Sequence, residues 1–251
     1  MTGGDMNVLI TGANRGLGLE FVKQLATSGT QIFAACRAPS QAKQLKQVQE
    51  QYPESVSIIN LDVTDSTSIS QSHRLIRTKT KNLDLLINNA GISVEDKGLG
   101  TFDVSSMKSI LNVNTIAPLL IIQQYIDLLK KGNQPKIVNI SSGLGSLARA
   151  NSCRMSSCST KYRTNEYTPT AIYSLSKAAL NMGTIHLAHE LKYDGIVVIA
   201  LTPGWVKTDM GGENADITPQ ESIAGMVRVI DSLSLSDSGS YYDHTGQIVP
   251  W

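Results

Sequence analysis

The sequence predicts an α/β fold: one domain over residues 1–251, built on a doubly wound parallel sheet with helices on both faces. Three observations predict it. Short, almost wholly apolar runs alternate with longer amphipathic ones, as strands buried on both faces alternate with crossover helices. A glycine-rich turn separates the first apolar run from the first amphipathic one. Neither an internal repeat nor a Pro/Gly linker divides the chain.

The elements follow in order. Asn7 to Thr11 (NVLIT) is a strand. A helix runs from about Gly16 to Ser28, with Leu17, Phe21, Val22 and Leu25 on one face. Gln31 to Cys36 is a strand, Gln41 to Gln51 a polar helix, Val56 to Leu61 a strand, Thr67 to Lys79 a helix and Leu83 to Asn88 a strand. A long helix is predicted from near Ser105 to Lys131. Pro118 should bend it, because proline lacks an amide donor and crowds the turn before it. Ile137 to Ser141 is a strand, Ala171 to Tyr193 a helix, Ile196 to Thr202 a strand, Pro219 to Leu233 a helix and Gln247 to Val249 a short last strand. The stretch from Leu147 to Thr170 breaks this rhythm. It is polar, serine-rich and too long for an ordinary connection, and reads as an irregular insertion. Its Arg149, Arg154, Lys161 and Arg163 fit a solvated loop better than a nucleic-acid patch, given the balanced overall charge.

Composition narrows the class. Hydrophobic residues make up 41% and charged residues 17%, which suits a folded globular protein. The net charge of +1 gives no pull toward nucleic acid or an anionic membrane. Cys36, Cys153 and Cys158 are too few for a disulfide framework and lack the pairing of a zinc site; His186 and His189 share a helix face without further ligands, so no metal is expected. No uninterrupted apolar run approaches the roughly 18–20 residues of a membrane span. Met1 to Asp5 lack the features of a secretory signal. The expectation is a cytoplasmic protein.

The glycine turn reads Thr11-Gly12-Ala13-Asn14-Arg15-Gly16-Leu17-Gly18. Glycines at 12, 16 and 18 let the backbone turn sharply and approach a ligand closely, and the following helix offers free amides to a pyrophosphate. Where an acidic residue at the end of the second strand would bind the ribose 2′-hydroxyl of NAD, this chain has Cys36 and Arg37. Arg37, with Arg15 from the glycine turn, could pair with a 2′-phosphate. Two arginines and no carboxylate point to NADPH/NADP+ rather than NADH.

Tyr173 precedes Lys177 by one helical turn, so both share a face. With eight tyrosines and fourteen lysines in the chain, chance alone would give about 0.45 such pairs, and context must carry the signal. Ser141 and Ser142 end the fifth strand, Asn88-Asn89-Ala90-Gly91 end the fourth, and Pro203-Gly204 follow the sixth. The carboxyl ends of strands are where open α/β sheets bind ligands.

Taken together, TGxxxGxG, NNAG, Asn114 in NVNTIAP, ISS, YxxxK and PG resemble the short-chain dehydrogenase/reductase family, in the right order from about Asn7 to Val249. ISSGLGSL and GQIVPW are similar to its Sniffer-type and C-factor-like carbonyl reductases. The resemblance implies a Rossmann domain and roles for these residues. Tyr173 would protonate the carbonyl oxygen as hydride arrives. A free tyrosine has a pKa of about 10, and the cationic Lys177 would stabilise its phenolate. Lys177 would also bind the nicotinamide ribose. Ser142 would hold the carbonyl oxygen, the family pattern favouring it over Ser141. Asn114 would anchor a relay water at a carbonyl freed by the helix bend. Asp62 and Val63 would meet the adenine, Asn89, Ala90 and Gly91 would support the cofactor, and Pro203, Gly204, Val206 and Thr208 would border the nicotinamide.

The 31 positions between Ser142 and Tyr173 exceed the family's usual spacing. The surplus is the 147–170 insertion, beside the substrate pocket and the usual subunit interface, which leaves homodimer and monomer both open. A substrate loop is expected at about 207–218. The reading is an NADPH-dependent carbonyl reductase whose small-molecule substrates are aldehydes, ketones or quinones, with their size left open by the insertion. Its rivals are a pteridine- or steroid-directed member of the family and a non-catalytic dinucleotide-binding signalling protein.

Overall fold

A computed structural model describes residues 6–26, 30–94, 99–152 and 171–251. Strands β1 (Asn7–Thr11), β2 (Gln31–Cys36), β3 (Val56–Asn60), β4 (Leu85–Asn88), β5 (Lys136–Ile140), β6 (Val197–Thr202) and β7 (Tyr241–Asp243) form one sheet in the order β3-β2-β1-β4-β5-β6-β7. Every neighbouring pair is parallel.

Alternate strand residues supply two cores, as the two-residue period of a strand requires. On one face, Val8, Ile10, Ile32, Ala34, Ile87 and Ile199 pack against α1 (Gly16–Ala26), α2 (Lys43–Gln51) and α8 (Pro219–Ser232). On the other, Leu9, Phe33, Leu86, Ile137 and Val198 pack against α3 (Ser66–Lys79), α5 (Ala117–Leu129) and α7 (Ala171–Leu191). The chain order reverses between β1 and β4, which opens a crevice at their carboxyl ends.

Three regions depart from the sequence expectation. The long helix is three pieces: α4 (Val104–Leu111), a π turn (Asn112–Ile116) and α5. Pro118 lies in the first turn of α5, where its missing N–H is tolerated. Its ring would crowd the carbonyl four residues back, that of Asn114, and the backbone widens there, with the Ala117 amide reaching the Asn112 carbonyl. An 18-residue window within Val104–Leu129 is apolar enough, at a mean hydropathy of 1.2, to match a membrane span by composition. Ile121, Ile122, Tyr125, Leu128 and Leu129 of this stretch are nevertheless spent on the sheet.

The last strand is Tyr241–Asp243, not 247–249. Asp243 Oδ1 accepts from the amides of Thr245 and Gln247, Gly246 takes φ 89°, and the chain folds back so that Ile248 forms only an antiparallel bridge to Tyr242. Within the expected irregular insertion, Leu147–Ser152 is a short helix, α6. Cys153, Arg154, Cys158, Lys161 and Arg163 lie outside the described residues.

Candidate active site

The site begins where β1 and β4 end. Thr11 Oγ1 accepts from the amides of Asn89 and Ala90, both at 3.0 Å. Asn89 Nδ2 donates to the carbonyls of Thr11 (2.9 Å) and Gly12 (3.2 Å). These bonds weld the glycine turn to the NNAG segment. Gly12 and Gly16 take φ 67° and 53°, in the left-handed region. A Cβ on Gly18 would lie 2.3 Å from the Gly12 carbonyl oxygen and 2.5 Å from Asn89 Nδ2, so no other residue fits there. Asn14, Gly16 and Leu17 remain partly exposed on the turn.

Arg15 and Arg37 are both exposed. Arg15 Nη1 bonds Asp209 Oδ2 at 2.7 Å, a contact the sequence did not suggest. Arg37 faces Asp62 across the ends of β2 and β3. Burial would raise the Asp62 carboxyl, but bonds from the Thr64 hydroxyl and amide and the Arg37 charge outweigh it and hold the group below its ordinary value. Val63 lines a small cavity with Thr11, Asn88, Ala90 and Val113. Asn88 Oδ1, fully buried there, has no hydrogen-bond partner among the described residues.

The second half of the site is set by α7. Asn88 Nδ2 donates to Asn139 Oδ1, and Asn139 Nδ2 to Thr184 Oγ1, each at 2.9 Å, which ties β4, β5 and α7 together. A Cβ on Gly145 would lie 2.8 Å from the Lys177 backbone, so only glycine lets α7 pack this close to the turn after Ser142. Lys177 is buried; its Nζ donates to the Ile140 carbonyl at 2.8 Å and lies 5.7 Å from the centre of the half-buried Tyr173 ring. Burial pushes the ammonium down to about 8.

The structure separates the two serines. Ser141 is buried and donates to Asn181 Oδ1 at 2.6 Å. Ser142 is partly exposed at the sheet edge, and its oxygen accepts from the Leu144 amide at 3.3 Å, which leaves its proton free to donate. Asn114 is fully buried, its Oδ1 accepting from the Ile92 amide and its Nδ2 donating to the Ile92 carbonyl, both at 2.9 Å. Nδ2 also reaches Ser176 Oγ at 3.1 Å, and Ser176 donates to the Tyr173 carbonyl. Ser176 thus couples Asn114 to the tyrosine turn. With its side chain spent, Asn114 can offer only its carbonyl, whose α-helical partner would be residue 118, a proline.

At the end of β6, the Pro203 carbonyl accepts from Ser222, and Gly204 takes φ 82°. Val206 is buried and bridges Ile217, closing the base of the expected substrate loop. Thr208 Oγ1 accepts from the Gly211 amide, and Trp205 Nε1 donates to the Gly211 carbonyl.

Known proteins resemble this chain in sequence and fold. The family model described as short chain dehydrogenase matches residues 6–161 and 154–218. An uncharacterised oxidoreductase of Schizosaccharomyces pombe is 30% identical over 99% of this chain and 98% of its own length. The chain belongs to the short-chain dehydrogenase family. C-signal of Myxococcus xanthus is 36% identical over 67% of this chain and 93% of its own length. Among solved structures, the NADPH-bound carbonyl reductase from chicken fatty liver is 37% identical, with a TM-score of 0.87 and coverage of 98% of this chain and 99% of that one. The carbonyl reductase Sniffer of Drosophila melanogaster has a TM-score of 0.87 at 29% identity, over 99% and 100% of the two chains. This short-chain dehydrogenase is therefore an oxidoreductase whose fold is that of the carbonyl reductases.

The cleft also fits a dinucleotide. Positive-φ glycines bare the backbone of the first turn. A Cβ on Gly91 would fill the space beside the site, 3.4 Å from Asn114 Oδ1 and 3.8 Å from Lys177 Nζ.

Proposed function

We propose that this short-chain dehydrogenase is an NADPH-dependent carbonyl reductase that converts aldehydes, ketones or quinones to alcohols. The observation that carries the reading is the pairing of the half-buried Tyr173 with the buried Lys177 one turn away, beside Ser142 and a bared glycine cradle. The turn at Gly12, Asn14, Gly16, Leu17 and Gly18 would hold the pyrophosphate, and Arg15 and Arg37 the 2′-phosphate. Asp62 and Val63 would contact the adenine, with Asn89, Ala90 and Gly91 lining the ribose side. Pro203, Gly204, Val206 and Thr208 would border the nicotinamide. When bound, the reduced nicotinamide supplies a hydride to the carbonyl carbon.

The chain's own residues manage the oxygen. Ser142 donates its free proton to the carbonyl oxygen and keeps it in place as negative charge develops. Tyr173 Oη gives up its proton to that oxygen, which completes the alcohol. The Lys177 ammonium, rigidly held by Ile140, favours the phenolate left behind. Reprotonation of Tyr173 would run from water at the Asn114 carbonyl through Lys177 to the phenolate.

Oxidation of NADPH against a panel of dicarbonyls, quinones and aldehydes tests the activity. Tyr173→Phe should keep NADPH affinity, read by fluorescence titration, while turnover falls about a thousandfold, within the usual range for a general acid. Equal turnover in the two proteins removes Tyr173 from the mechanism.

A further inference from the structure

Two walls of the cleft meet at one contact. Arg15 stands on the glycine turn; Asp209 stands on the loop that leaves β6. Their side chains are joined at 2.7 Å. The approach is not confined to the long side chains, because a Cβ on Gly16 would lie 3.8 Å from the Thr208 methyl. Arg15 therefore has an anionic partner supplied by the protein. Under the NADPH reading, on which this inference rests, it has a second claimant: the 2′-phosphate, the group that distinguishes NADPH from NADH.

We propose that Asp209 is a specificity-determining residue for the cofactor, moderating the preference for NADPH by sharing Arg15 with the 2′-phosphate. The electrostatics give the sign. A carboxylate bonded to the guanidinium cancels much of its charge and repels a phosphate approaching the same cation. NADH carries no 2′-phosphate and feels little of this. Removing the carboxylate thus strengthens NADPH binding selectively. The pair is exposed, at 67% and 77% for the two side chains, so water and salt screen it, and an effect of up to about fivefold in an equilibrium constant is expected.

The test measures dissociation constants for NADPH and NADH by fluorescence titration, with 2′,5′-ADP and 5′-AMP as competing probes that carry no reactive ring. Asp209→Asn should tighten NADPH about two- to fivefold and leave NADH nearly unchanged. Asp209→Glu should stay near wild type. In an Arg15→Gln background, Asp209→Asn should lose most of its effect, because the shared cation is gone and only the weak, screened carboxylate–phosphate repulsion is left to remove. The effect should also fade as salt is raised. Equal shifts for both cofactors, no shift for either, or the same shift without Arg15 would each overturn the proposal. The reading beneath it fails in a different way: Arg15→Gln alone would then leave the NADPH/NADH ratio at the wild-type value.

Discussion

The two ends of the cleft are built on opposite terms. Around Tyr173, the polar groups of Lys177, Asn114 and Ser141 are buried, and each is held by named hydrogen bonds. Around the glycine turn, Arg15, Arg37 and Asp209 stand in solvent. A buried charge is costly to desolvate and keeps one geometry; an exposed charge is cheap, mobile and screened. Under the proposed function, proton transfer would sit where groups cannot move, and the choice of cofactor where small charge changes are tolerated. Substitutions at the buried end should therefore have large, pH-dependent effects. Those at the exposed end should be smaller and depend on salt.

Lys177→Met gives the largest expected effect and moves activity and stability in opposite directions. Turnover should be nearly lost. Stability should rise, because the variant no longer buries an ammonium. The sign follows from linkage: the folded-state pKa of about 8 lies below the ordinary 10.5, so between these values the unfolded chain holds more protons. Wild-type stability should therefore climb with pH across that window. The shift corresponds to about 3 kcal/mol. The gain in Lys177→Met should be full below pH 8 and shrink toward 10.5. Denaturant titration at several pH values reads this directly. A variant no more stable than wild type at neutral pH would mean that the Ile140 bond already offsets the burial cost, and the contrast between the two ends would weaken.

The serine pair sharpens the comparison within the buried end. Ser142→Ala should lower kcat by about a hundredfold or more, with little change in stability, because its oxygen accepts only a long 3.3 Å bond from Leu144. Ser141→Ala should do the reverse. It strands Asn181 Oδ1 in the interior at a cost of about 1–3 kcal/mol, with turnover little changed. Paired kinetics and thermal melts of the two variants decide the matter, and an exchange of the two phenotypes would reassign the serine.

How much of this was legible from residues alone follows the same division between local and distant causes. Strands such as Asn7–Thr11 and Gln31–Cys36 announce themselves because burial on both faces demands an apolar run. Glycine positions were legible because the backbone requirement is carried by the residue itself. The helix break at Pro118 was visible, but its form as a π turn at Asn112–Ile116 was not, because it depends on how the helix seats on α7 through Asn114, Thr115 and Ser176. The last strand was misplaced because Gln247–Val249 is the more apolar segment, while pairing with β6 falls to Tyr241–Asp243. Ser176 and Asp209 escaped notice for a related reason. Each acts through a partner distant in the chain, and no local pattern marks such a residue.

Arg37→Asp is the smallest of these effects and bears most directly on the exposed end. Arg37 already acts on one carboxylate, that of Asp62. The substitution therefore does more than delete a cation: it sets a second carboxylate beside the first, where a 2′-phosphate would otherwise meet a guanidinium. Repulsion falls on NADPH far more than on NADH, so the NADPH/NADH affinity ratio should drop by about tenfold, as for the loss of one charge-assisted contact. Salt provides the internal control. The wild-type ratio should shrink as the Debye length falls from about 10 Å at 0.1 M to about 3 Å at 1 M, whereas the variant's ratio should hold steady or recover slightly as its repulsion is screened. A ratio unchanged by Arg37→Asp would place the 2′-phosphate away from the end of β2, and a ratio insensitive to salt would mean that the arginine is held more tightly than its exposure implies.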